Sequence, residues 1–297
     1  MIDFSPDCRA VLIGSLPLSD HRAALEMILR YTPDIPLWPQ LPRLAKEGMT
    51  RQFIDGFPGL TEDGKRFWID TEGADFTTRM AEFYEDCGAL DDDSNPSSRA
   101  RFALDRDAAR GFYVFCQAMA AKTTRPWTVK GQITGPVTCG IGVRDSSGRA
   151  IIHDDNLRDM LARLIASRAE WQTRVLGGLP RLAAAPMLFI DEPAMVGFGS
   201  SGFSGISEEM VSEAVGAVIA AIHRGGGVAG VHICANGDWR PVLTSQTDVV
   251  SFDAYSYFEF PQKLPTVGNV LGVASGRDAM ERNMLRKSHA KMRKIKF

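Results

Sequence analysis

With 297 residues, 44% of them apolar and 24% charged, the chain can bury a sizeable core and has the usual size of one α/β barrel, which excludes a disordered or fibrous protein. A net charge of −2 supplies no clustered positive field to gather nucleic acid or anionic lipid. The N-terminus lacks the basic, apolar and small-residue succession of an export signal, and no run approaches the roughly 18 apolar residues of a membrane span, so a cytoplasmic protein with neither nucleic-acid nor membrane partner is expected.

Short β-rich apolar runs alternate with helical-period segments, as in repeated βα units around a parallel sheet. Residues 10–13 (AVLI) read as a first strand closed by Gly14-Ser15, and residues 20–30 as a helix. Residues 33–60, rich in Pro, Trp and Gly, read as a long loop of the kind that is more often functional than idle. Residues 65–70 (KRFWID) suggest an excursion strand, and residues 76–86 and 108–121 are helical. Residues 127–133 (WTVKGQI) form a strand that ends in Thr134-Gly135-Pro136. A long amphipathic helix at 157–176 precedes the continuously apolar strand 186–190, which delivers Asp191-Glu192-Pro193. Ser207 caps a helix with an apolar face of Val211, Ala214, Val218 and Ile222. Strand 228–231 carries His232-Ile233-Cys234 at its mouth, strand 248–252 presents Asp253, and residues 268–274 can form a seventh strand.

The polar motifs fall where strands end, the face on which a parallel barrel assembles its site. His232 and Cys234, at i and i+2, point the same way on an extended strand end, and imidazole plus thiolate suits Zn2+. A buried histidine beside a small core cysteine is the plainer alternative. Asp191 and Glu192 can recognise an amino group or steer a proton, or else cap a helix or bind an arginine. Asp253 is a metal ligand, a partner for His232 or a loop cap. Gly135 admits a flat ligand close to the backbone, or is simply a turn residue. The five cysteines, Cys8, Cys87, Cys116, Cys139 and Cys234, are odd in number and irregularly spaced, against a disulfide framework. After Pro261 there are about seven more basic than acidic side chains, read as a solvated helix and tail.

Taken in order, IGS at 13–15, KGQITGPVT at 130–138, FIDEPA at 189–194, HIC at 232–234 and DVVSFDAY at 248–255 resemble the C-terminal catalytic domain of cobalamin-independent methionine synthase. Short single-domain relatives in the wider uroporphyrinogen decarboxylase and methionine synthase superfamily share the pattern. The resemblance implies a (β/α)8 TIM barrel over residues 1–275, incomplete or divergent at its last strand, followed by a basic helix or tail at 276–297. It implies zinc held by His232 and Cys234, with Asp253 standing where the family places a glutamate ligand. Ser15 would lie near an amino-acid substrate and Asp191 would contact its amino group, with Glu192 and Gly135 also lining the site.

The implied activity is methyl transfer to a zinc-activated, homocysteine-like thiol from a methyl-folate or methyl-corrinoid donor, as in methionine biosynthesis. The segment HICAN at 232–236 also resembles the HxCGN of methylcobamide:thiol methyltransferases, which work with a separate corrinoid protein. Uroporphyrinogen decarboxylase itself fits less well, because no arginine-rich N-terminal signature is present. Two features depart from the synthases: no HGE segment lies between Ile13 and Gly131, and no cysteine follows Cys234. A divergent tail or a truncated or shifted reading frame would account for the second. A non-catalytic zinc-binding or partner-binding barrel is therefore the third expectation.

Overall fold

The structure, a computed structural model, describes residues 7, 9–90, 100–235, 240–243, 245–253 and 270–273. Helix α1 (His21–Tyr31) begins at Asp20, whose Oδ1 accepts the Ala23 N–H at 2.8 Å, and its buried stripe includes Ala24, Leu25 and Ile28. The strand expected at 10–13 does not form. This part of the chain meets the sheet through single parallel bridges, Ser15 to Gln40 and Leu37 to Lys130. Pro33, Pro36, Pro39 and Pro42 fall in the same stretch, and each removes a backbone donor, so no continuous ladder can be built there. Arg168, buried, fastens the long loop to the body by donating to the carbonyls of Phe53, at 2.6 Å, and of Asp55.

Strands β1 (Leu60–Glu62) and β2 (Phe67–Ile69) pair antiparallel. Helices α2 (Phe76–Gly88) and α3 (Arg110–Ala121) follow, then β3 (Lys130–Thr134) and the short α4 (Pro136–Gly142). The remainder runs α5 (Asp155–Gly177), β4 (Met187–Asp191), α6 (Glu208–Arg224), β5 (Val228–Ile233), α7 (Arg240–Leu243), β6 (Val249–Asp253) and β7 (Val270–Val273). Asp154 caps α5 by accepting the N–H groups of Asn156 and Leu157, and Ser207 caps α6 by accepting that of Met210 at 3.2 Å. No described helix is long and apolar enough to cross a membrane.

The expected (β/α)8 barrel is corrected by the sheet. Strands β3 to β7 lie side by side in chain order as one five-stranded parallel sheet, and the only other sheet among the described residues is the β1–β2 pair. The apolar run at 10–13, expected as the first barrel strand, forms no strand, and just beyond it Ser15 makes only a single bridge to Gln40. The excursion strand expected at 65–70 forms as β2, which pairs antiparallel with β1 outside the parallel sheet. The tail at 276–297 lies outside the described residues.

Alternation along the strands divides the sheet into two unlike faces. On one, Ile133, Leu188, Ile190, Ala229, Val231, Ile233, Val250 and Phe252 join the main core with Leu161, Leu164 and Ile165 of α5 and Val215, Val218, Ile219 and Ile222 of α6. Each such aliphatic side chain contributes about 1.5–3 kcal/mol on full burial, so this face holds the helices to the sheet. On the other face Met187, Phe189, Val228 and Val249 form a smaller cluster with Ile35. Nearer the C-terminal ends of the strands that second face turns polar.

Candidate functional site

The register builds a line of polar residues across the strand ends. Thr134 pairs with Asp191, Asp191 with His232, and His232 with Ser251. Partners in a parallel ladder share a face, so all four side chains belong to one side of the sheet. Lys130 and Gln132 sit four and two residues before Thr134 on that side. The bridges from Lys130 to Leu37 and from Gln40 to Ser15 bring Ser15, which is exposed, to the same end.

Asp191 is 7% exposed, and its Oδ1 is buried with no hydrogen-bond partner. A buried acceptor left unpaired costs about 1–3 kcal/mol, which makes it a place where a donor from outside would be welcomed. Lys130 is 3% exposed. Its Nζ donates to the Ile13 carbonyl and, at 3.4 Å, to Gln132 Oε1, and it lies 4.9 Å from the centre of the Phe189 ring. Burial pushes the Asp191 carboxyl up and the Lys130 ammonium down, and the charge of each opposes the shift of the other.

His232 is 7% exposed and its Nδ1 lies 2.9 Å from Ser251 Oγ. With Nδ1 protonated the ring donates to that hydroxyl and keeps the Nε2 lone pair. Burial, reinforced by the Lys130 charge, brings its pKa down to about 4, so the imidazole is neutral at physiological pH. Cys234 follows just beyond the end of β5 and is exposed. Asp253, half-buried, ends β6 two residues after Ser251, on the same side of the sheet. Among the described residues no three His, Cys, Asp or Glu side chains are grouped as a metal site.

Glu192, expected beside Asp191 in the site, is directed elsewhere. Its Oε1 accepts the Val137 N–H at 3.0 Å, and its Oε2 accepts the Thr138 N–H at 2.7 Å and the Thr138 hydroxyl at 2.6 Å. These bonds satisfy orphan donors at the start of α4. Burial pushes its carboxyl up to about 7 against the pull of the same hydrogen bonds. Gly135 belongs to this arrangement, since a Cβ there would stand 2.1 Å from Glu192 Oε1. Gly14 faces the Gln132 amide in the same way and has φ +137°, a conformation closed to most other residues. Thr134 is engaged as well, its hydroxyl donating to the Met49 carbonyl at 2.9 Å.

The structure thus brings Ser15, Asp191, His232 and Asp253 to one end of the sheet, puts Cys234 just past it, and assigns Glu192 and Gly135 to the junction of β4 with α4. Sequence reasoning passed over Lys130, Gln132 and Ser251. The period-2 alternation of Lys130, Gln132 and Thr134 against Gly131 and Ile133 was the available signal. No protein-family model matches this chain, and no curated protein matches it significantly.

Proposed function

We propose that the chain is a zinc-dependent methyltransferase that alkylates the thiol of a homocysteine-like amino acid. The observation that carries this reading is the polar line at the strand ends, where the unpaired Asp191 Oδ1 lies one strand away from a neutral His232 anchored at Nδ1. The motif order of residues 13–15, 130–138, 189–194, 232–234 and 248–255, which resembles methionine synthase, supplies the reaction type.

The donors at the end of β5 fit zinc in their chemistry. A ligating histidine characteristically gives its other ring N–H to an oxygen, as His232 can to Ser251, and a thiol follows two residues later in an accessible position. Zinc held by His232 and Cys234, with Asp253 at the end of the adjoining strand β6 as a carboxylate ligand, would keep a substrate thiol ionised at neutral pH. Asp191 receives the substrate ammonium at its unpaired oxygen. Ser251 fixes the plane of the His232 ring. The methyl donor is a folate or a corrinoid, the latter delivered by a partner corrinoid protein.

The test is elemental analysis of untagged wild-type protein beside His232→Ala and Cys234→Ala. About one zinc per chain is expected in wild type, and loss of it in both variants. Metal-free wild type would overturn the reading in favour of a non-catalytic protein. With zinc present, methylation of homocysteine from methyl-folate alone, or only with a methylated corrinoid, separates the two donors.

A further inference from the structure

Lys130 is the feature of this face that the proposed reaction leaves unexplained. A lysine ammonium buried to 3% exposure is costly unless something compensates its charge, and the Asp191 carboxylate acts on it only at a distance, without a direct ion pair. Two neutral oxygens accept from Nζ, the Ile13 carbonyl and Gln132 Oε1. An ammonium has three hydrogens, so one remains without an oxygen. On the adjoining strand Asp191 shows the complementary deficit, a buried carboxylate oxygen that accepts nothing. Both groups lie on the same side of the sheet and feel one another's charge without meeting.

An unspent buried donor and an unspent buried acceptor on one face ask for a ligand that carries the opposite pair. Simple amines satisfy Asp191 alone, and simple acids satisfy Lys130 alone. A group bearing both charges on one carbon satisfies both and leaves the site neutral. We propose that Lys130 binds the carboxylate, and Asp191 the ammonium, of a zwitterionic α-amino acid, so that Lys130 selects amino-acid thiols over thiols lacking a carboxylate. This rests on the reading of the site as one for a thiol amino acid and adds the residue that sets its specificity. Gln132 and the Ile13 carbonyl then act as positioning groups that hold Nζ in place.

The test uses full-length protein and probes without sulfur, so that neither zinc nor methyl transfer enters the readout. Calorimetric titration of wild type with L-2-aminobutyrate, n-propylamine and butyrate should give saturable binding of the amino acid, and binding at least about tenfold weaker for each one-charge analogue. Lys130→Met should lower affinity for L-2-aminobutyrate about tenfold or more, to the level of propylamine, and leave propylamine itself unchanged. Lys130→Arg, which restores the charge, should recover part of the loss. Wild type that binds propylamine as tightly as aminobutyrate, or that binds none of the three, overturns the proposal without recourse to any variant. So does a folded Lys130→Met that keeps full affinity for the amino acid. Amino-acid binding in a protein that proves to hold no zinc would uphold the head-group site while the methyl-transfer reading falls.

Discussion

The contact between Gly135 and Glu192 yields a quantitative prediction. A Cβ at position 135 would lie 2.1 Å from Glu192 Oε1, 2.3 Å from Cδ and 2.7 Å from Cγ, distances that real atoms do not tolerate. Gly135 cannot move aside freely, because its N–H donates to the Asp191 carbonyl at 2.9 Å. Glu192 is 0% exposed and has no route to solvent. The carboxylate must therefore withdraw from Val137 and Thr138, stranding buried donors at about 1–3 kcal/mol each, on top of about 1–3 kcal/mol for overpacking. Gly135→Ala should cost at least about 3 kcal/mol, a large part of the ~5–15 kcal/mol that typically separates folded from unfolded protein.

Urea denaturation followed by far-UV circular dichroism measures this loss, and a double-mutant cycle isolates its cause. Glu192→Ala removes the same anchor and should be destabilising by a similar amount. Adding Gly135→Ala to it should then change stability by less than about 0.5 kcal/mol, because the new methyl enters vacated space. Additive costs in the double variant, or a neutral Gly135→Ala, would show that the two residues do not meet as described.

Two further outcomes follow from buried titratable groups. His232 has its pKa lowered from 6.5 to about 4, so as pH falls below 6.5 the unfolded chain takes up the proton first and stability is lost down to about pH 4. In metal-free protein the stability advantage of wild type over His232→Gln should therefore grow by up to ~3 kcal/mol between pH 4 and 6.5, whereas parallel pH profiles would refute the burial of this ring. Burial pushes the Cys139 thiol well above the ordinary range, Cys116 up to about 12 and Cys87 up to about 11, whereas Cys234 is exposed. In metal-free protein, iodoacetamide at pH 8 should label Cys234 alone among these four before unfolding, and peptide mass spectrometry showing comparable modification of Cys139 would contradict its placement.

Local chemistry was legible without coordinates. Ser207 announces α6 because a side-chain acceptor satisfies the first turn wherever the helix is placed. The apolar run before Asp191 marks β4, and Asp191 and His232 were recognisable as polar residues at strand ends. What those residues face depends on neighbours distant in sequence. Asp191 and Glu192 look equivalent as a pair of acids, yet successive strand residues point to opposite sides, and only the approach of Val137 and Thr138 shows which acid is consumed by structure. Lys130 gains significance only when β3 and β4 align in register and leave it buried on the Asp191 side. The parallel sheet likewise stops short of the expected barrel because strand pairing needs a partner with free N–H groups at the right distance. Apolarity at 10–13 could suggest that partner, but the segment builds no ladder, and Ser15 beyond it meets only Gln40, in a single bridge within a stretch whose prolines lack N–H donors.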